Sequence, residues 1–98
     1  MGNKISEDSV VQKIKRYVNS LPNAKLIKRP ASMARNGEPD LTGCVDGKHI
    51  EIEVKAPGNK PTELQLKRLE EWDKVGAVAF WADDVEIVKR TFGIRGLV

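Results

Sequence analysis

Apolar positions along the chain repeat first at helical spacing, then at strand spacing, and then at each in turn, and these shifts predict the elements. Val11, Ile14, Val18 and Leu21, widened by Val10 and Tyr17, form a stripe on one side of a helix that opens after Ser6 and ends at Pro22-Asn23. Ser6 suits the N-cap, and Glu7 and Asp8 put negative charge where the helix dipole favours it. Ala24 to Arg29 reads as a short strand around Leu26 and Ile27, ended by Pro30. From there to Pro39 no period is visible, which predicts a loop.

The stretch from Gly37 to Lys55 predicts a β-hairpin around Asp46-Gly47, a dipeptide that accepts the positive φ values of a two-residue turn. With those residues as the turn, Val45 pairs with Lys48, and counting outward sets Asp40 opposite Glu53. Side chains alternate along a strand, so Asp40, Thr42 and Cys44 share a face with His49, Glu51, Glu53 and Lys55. Leu41, Val45, Ile50, Ile52 and Val54 take the other face. Two carboxylates directly across a ladder lie roughly 5 Å apart at Cβ and repel unless a cation or a proton sits between them.

Ala56-Pro57-Gly58 must end the second arm, because proline cannot continue a central ladder. Thr62-Glu63-Leu64-Gln65 has the form of a capping box, opening a helix with Leu66, Leu69 and Trp72 on its inner side and Gly76 as its left-handed C-cap. Ala77 to Ala82 is a continuous apolar run, which predicts a strand covered on both faces. Asp83 can cap a last helix, with Glu86 at the box position, Val85, Val88 and Phe92 as its apolar contacts and Gly93 as its stop. The predicted order is α-β-β-β-α-β-α, an α/β arrangement in a single domain spanning residues 1–98.

Composition narrows the class without changing that outline. Apolar residues make up 40% of the chain and charged ones 32%, which fits a globular domain rather than a disordered one. The net charge of +3 permits nucleic-acid binding without demanding it. Its distribution says more: bases gather at Lys13, Lys15 and Arg16, at Lys25, Lys28, Arg29 and Arg35, and at Lys67 and Arg68, whereas acids crowd the hairpin. One cysteine, Cys44, excludes an internal disulfide and a thiolate metal cluster and fits a cytoplasmic setting. No apolar run approaches the ~18 residues of a membrane helix, and no signal-peptide pattern precedes the first helix.

The candidate chemistry lies on the charged face of the hairpin. Asp40 and Glu53 offer the hard oxygen ligands that magnesium or manganese prefers, with the Val54 carbonyl as a further oxygen between the reactive side chains. A cation held there neutralises charge on a phosphoryl oxygen, as phosphodiester hydrolysis requires, and Lys55 can orient the attacking water or stabilise the developing charge. Taken by itself, Glu53-x-Lys55 also fits a solvated strand face, as do His49 and Glu51. The loop arginines Arg29 and Arg35, with Lys28 and Lys60, are candidates for gripping phosphate oxygens.

Gly37-Glu38-Pro39-Asp40-Leu41, the strand ending Glu53-Val54-Lys55, and the helix opening near Thr62 with Gln65 resemble the PD-(D/E)XK nuclease superfamily, and more closely its VRR-NUC branch. The resemblance spans nearly the whole chain and implies a restriction-endonuclease-like core, a mixed central sheet flanked by helices. It implies that Asp40 and Glu53 bind Mg2+ or Mn2+ with no organic cofactor, that Lys55 completes the catalytic trio, that Gln65 supports it, and that Glu7 corresponds to the leading helix acid. DNA, in particular branched DNA such as a Holliday junction or flap, is the implied partner, and a homodimer the implied assembly. A single site cannot cut two strands symmetrically, whereas a two-fold dimer can. Two alternatives remain: a dimeric DNA-binding module with weak or no catalysis, and an accessory subunit of a replication protein.

Overall fold

The computed structural model describes residues 4–98, at Met33 the backbone only. The Ser6 side chain accepts a hydrogen bond from the Ser9 amide and starts helix α1, Glu7–Ser20. Strand β1, Ala24–Lys28, follows, then a 3-10 turn at Ala31–Met33 within the predicted loop, and then the hairpin strands β2, Leu41–Val45, and β3, Lys48–Val54. Helix α2 covers Glu63–Lys74, strand β4 Val78–Ala82 and helix α3 Val85–Ile94. The order α-β-β-β-α-β-α is the one that the periodicity predicts.

The four strands form one sheet in the order β1-β2-β3-β4, antiparallel except for the parallel β3–β4 pair. Helices flank both faces, as the predicted mixed sheet requires. On one face Leu26, Leu41, Val45, Ile50, Ile52, Val54, Val78 and Ala82 meet Val10, Val11, Ile14 and Val18 of α1 and Val88 and Phe92 of α3, and all of these are buried. This is the apolar core. Gly43 pairs with Leu26 of β1, and a Cβ on it would stand 1.9 Å from the Lys25 carbonyl oxygen, so any side chain there pushes β1 away.

On the other face α2 packs against β3 and β4. Its capping box is complete, with Thr62 Oγ1 accepting from the Gln65 amide and Gln65 Oε1 from the Thr62 amide. Gly76, at φ +105°, ends the helix, with the amides of Gly76 and Ala77 returning to the carbonyls of Asp73 and Trp72. Leu69 is buried as expected, but Leu66 is 46% exposed, because α2 turns Leu69 and Trp72 toward the sheet and leaves the preceding turn outside. Strand β4 lies at the sheet edge with its ends buried and Ala79, Phe80 and Trp81 half-buried, so it is less covered than its apolar run predicts.

The last helix differs in both ends. Asp84, not Asp83, is the N-cap, its Oδ1 accepting from the Glu86 amide, because Asp83 is spent on the bend by which the chain leaves β4. Gly93 lies inside the helix; the stop is Gly96, at φ +73°, where the amides of Gly96 and Leu97 bond back to the carbonyls of Gly93 and Phe92. Among the described residues no helix is long and apolar enough to cross a membrane.

Candidate active site

The site begins with the hairpin turn. Asp46 and Gly47 have φ values of 51° and 80°, both positive as a two-residue turn demands, and Asn23 Nδ2 donates to Asp46 Oδ1 at 3.1 Å. The register is therefore Val45↔Lys48, Cys44↔His49, Gly43↔Ile50, Thr42↔Glu51 and Leu41↔Ile52. One residue further Asp40 reaches the position opposite Glu53, but its main chain has left the β2–β3 ladder. Its carbonyl accepts from the Arg29 amide at 2.7 Å on the β1 side, and its Oδ2 accepts from the Val54 amide at 2.9 Å. The Asp40 side chain thus takes the last rung that a backbone carbonyl would otherwise provide.

Glu53 is only 2% exposed. Its register partner on β4 is Trp81, and the Lys55 amide donates to the Ala82 carbonyl, which continues the parallel pairing and fixes the direction of the lysine. Lys55 Nζ stands 3.5 Å from Glu53 Oε2 with its side chain 15% exposed, while Glu53 Oε1 is buried with no hydrogen-bond partner among the described residues. Burial first, and then the negative charge of Asp40, push the Glu53 carboxyl up to about 8 against the pull of Lys55. The pair therefore carries the conflict that the hairpin register implies: two acids together, one of them starved of partners.

The remaining predicted site residues are placed more diversely. Gln65 is committed through Oε1 to the capping box of α2, the structural role that its position also predicts. Glu7 is the exposed first residue of α1. Among the described residues no group of three or more His, Cys, Asp or Glu side chains is arranged to hold a metal, so Glu7 does not join Asp40 and Glu53 as a third carboxylate. The Val54 main chain adjoins the site through its amide bond to Asp40. Lys28 and Lys60 are exposed, and Arg35 is exposed but paired with Glu38 at 3.3 Å and Glu71 at 3.1 Å.

Arg29 is elsewhere than its loop position predicts. Its side chain is 12% exposed and lies beneath α2, with Nη2 2.8 Å from Glu51 Oε1, Nη1 donating to the Pro39 carbonyl at 2.6 Å, and the guanidinium 5.6 Å from the centroid of the Trp72 ring. A guanidinium so engaged is withdrawn from phosphate. Glu51 is fully buried rather than solvated, its Oε2 held by Thr42 Oγ1 and by His49 Nε2, whose ring packs 4.9 Å from that of Trp72. Trp72 Nε1 donates to Glu38 Oε1, and Arg68 Nε to the Asn36 carbonyl, so α2 fastens the Gly37-Glu38-Pro39 loop from above. Gly37, at φ +82°, lets that loop lie against Leu64 and Arg68, where a Cβ would stand 2.7 Å from Leu64 Cγ. Glu51 opposite Thr42, and His49 beside them, fit the supporting and polar-packing roles that the hairpin register suggests, whereas the burial of Arg29 among them is not foreshadowed by its loop position.

Comparison with known proteins agrees with this architecture. No family sequence profile matches the chain, and no curated protein does. Among solved structures, one described as a "VRR_NUC domain" superposes with a TM-score of 0.73 at 26% identity, covering 89% of this chain and 94% of that one. A second, described as a "VRR_NUC domain protein", superposes with a TM-score of 0.71 at 18% identity, covering 94% of this chain and 92% of that one. In both, the likeness extends over about nine-tenths of each chain. Over nearly its whole length the chain is therefore similar in fold to VRR-NUC domains.

Proposed function

We propose that the chain is a nuclease, and specifically a metal-dependent endonuclease that hydrolyses phosphodiester bonds in branched DNA of the Holliday-junction or flap type. The observation that carries this reading is Glu53 Oε1, a buried carboxylate oxygen without a hydrogen-bond partner among the described residues, beside a second acid, Asp40, and an amine, Lys55. Magnesium or manganese suits such a pair, since these ions take one or two protein carboxylates and complete their shell with water and phosphate oxygens. Bound there, the ion supplies Lewis acidity toward a phosphoryl oxygen and lowers the pKa of water.

The protein groups supply the rest. Asp40 Oδ2 is tied to the Val54 amide, so the carboxylate is oriented before any ligand arrives. Lys55, held close to Glu53, is positioned to stabilise charge developing on the phosphorus-bound oxygens. Exposed Lys28 and Lys60 contact the phosphate backbone, which makes binding salt-dependent and indifferent to base sequence. The acting unit is a homodimer in the cytoplasm of a bacterial cell or phage-infected host.

The test is incubation of the full chain with labelled four-way junction, flap, duplex and single strand in the presence of Mn2+, Mg2+ or a chelator. Cleavage of the branched substrates with either metal and none with chelator is expected. Asp40→Ala and Glu53→Ala remove activity, and Lys55→Ala lowers the rate about 100- to 1,000-fold, as loss of a charge-stabilising donor does elsewhere. Cleavage that persists in chelator, or in all three folded variants, overturns the assignment.

A further inference from the structure

We propose that Arg29 is the positioning residue of this site: its buried fork holds the Pro39 carbonyl while its amide holds that of Asp40, so that the Asp40 carboxylate is presented to Glu53. The inference rests on the metal-dependent reading of Asp40 and Glu53. One residue grips both carbonyls that flank the Asp40 Cα, since the Arg29 amide donates to Asp40 O at 2.7 Å and Nη1 donates to Pro39 O at 2.6 Å. Its other arm, Nη2, is fixed by Glu51 Oε1 at 2.8 Å, and Glu51 in turn is fixed at Oε2 by His49 and Thr42. The Trp72 ring covers the guanidinium and donates its own Nε1–H to Glu38, two residues ahead of Asp40.

A planar fork can serve a carboxylate and a carbonyl at once, whereas an ammonium is a point donor on a flexible stem. Ion pairs that are buried add little to stability, and matched apolar replacements are often neutral or stabilising. Stability alone therefore gives no reason to place a charged pair under α2, and the fork's grip on Pro39 does. Arg29 touches neither the reacting atoms nor, from its burial, the nucleic acid, so it acts through Asp40.

The experiment compares wild type, Arg29→Lys and the paired variant Arg29→Met with Glu51→Met, all as the full chain. Three quantities are read: Mn2+ affinity by calorimetric titration, melting temperature, and kcat and KM on a four-way junction. The paired variant is expected to melt near wild type, to bind Mn2+ about 10- to 100-fold more weakly, as loss of an outer partner of a ligand does, and to lose kcat with KM unchanged. Arg29→Lys recovers part of that loss. A folded paired variant with wild-type Mn2+ affinity and kcat overturns the inference, and so does a raised KM with kcat intact, which makes Arg29 a nucleic-acid contact. If the paired variant does not fold, Arg29→Lys decides alone: weakened Mn2+ binding at wild-type melting temperature supports the inference and unchanged binding overturns it. Wild-type protein that binds no Mn2+ overturns the parent reading, and this one with it, before any substitution is made.

Discussion

The two faces of the sheet are built on opposite terms. Beneath α1 and α3 the strands present Leu41, Ile50, Ile52 and Val54, all fully buried, to an apolar stripe that any packed core would provide. Beneath α2 the same β3 strand presents Glu51 and Glu53, equally buried, to Arg29, Trp72 and Lys55. The first face holds the fold together with side chains that have no other use. The second buries charge, which is costly unless each group is paired, and among the described residues Glu51 Oε1 finds Arg29 whereas Glu53 Oε1 has no partner. The contrast assigns stability to one face and chemistry to the other.

Substitutions separate the two. Phe92→Ala, on the apolar face, is expected to cost about 3–5 kcal/mol, a large share of the stability of a domain this size, while the surviving folded fraction keeps its turnover. Urea unfolding followed by far-UV circular dichroism, with activity scaled to folded protein, measures both. Gly43→Ala comes next, at about 1–3 kcal/mol or more, because the new methyl meets backbone rather than a flexible side chain. A loss confined to turnover in that variant would erase the distinction between the faces.

Glu53→Gln should act in the reverse sense, lowering activity and raising stability. In the metal-free folded chain Glu53 titrates near 8, against an ordinary 4.5 when unfolded, so between those values the folded state retains a proton that the unfolded state has released. Stability from this group is therefore highest below about pH 4.5 and falls as pH rises toward 8. Melting curves in chelator at pH 5.5 and pH 8 should show wild type losing ground at the higher pH and Glu53→Gln losing less. Added Mn2+ should raise the wild-type melting temperature more at pH 8 than at pH 5.5, because fewer molecules then hold a proton with which it must compete. The smallest effect is expected from Asp84→Ala, about 1 kcal/mol through loss of the α3 cap, with no change in turnover.

Much of the apolar face was legible in the sequence. Val11, Ile14 and Val18 repeat at one period, Ile50, Ile52 and Val54 at another, and Asp46-Gly47 sets the register that brings Asp40 level with Glu53. Such signals are local. Burial of Arg29 and Glu51 was not legible, because it depends on where α2, more than ten residues further along, comes to lie across the sheet. The same limit explains Leu66, whose spacing fits the inner stripe although the helix turns it outward. At Asp83-Asp84 and at Gly93 and Gly96 two adjacent signals of the same kind compete, and geometry at the end of β4 and the last turn of α3 chooses between them.

The hydrogen bond from the Val54 amide to Asp40 Oδ2 has a consequence beyond orientation. Because a side chain stands in for a strand carbonyl there, the end of the β2–β3 ribbon closes only when that carboxylate is in place. The Val54 N–H is thereby a built-in reporter: its exchange with solvent deuterium follows the opening of this rung. A ligand that holds Asp40 still slows that single amide, and can be detected there without any substrate being cut.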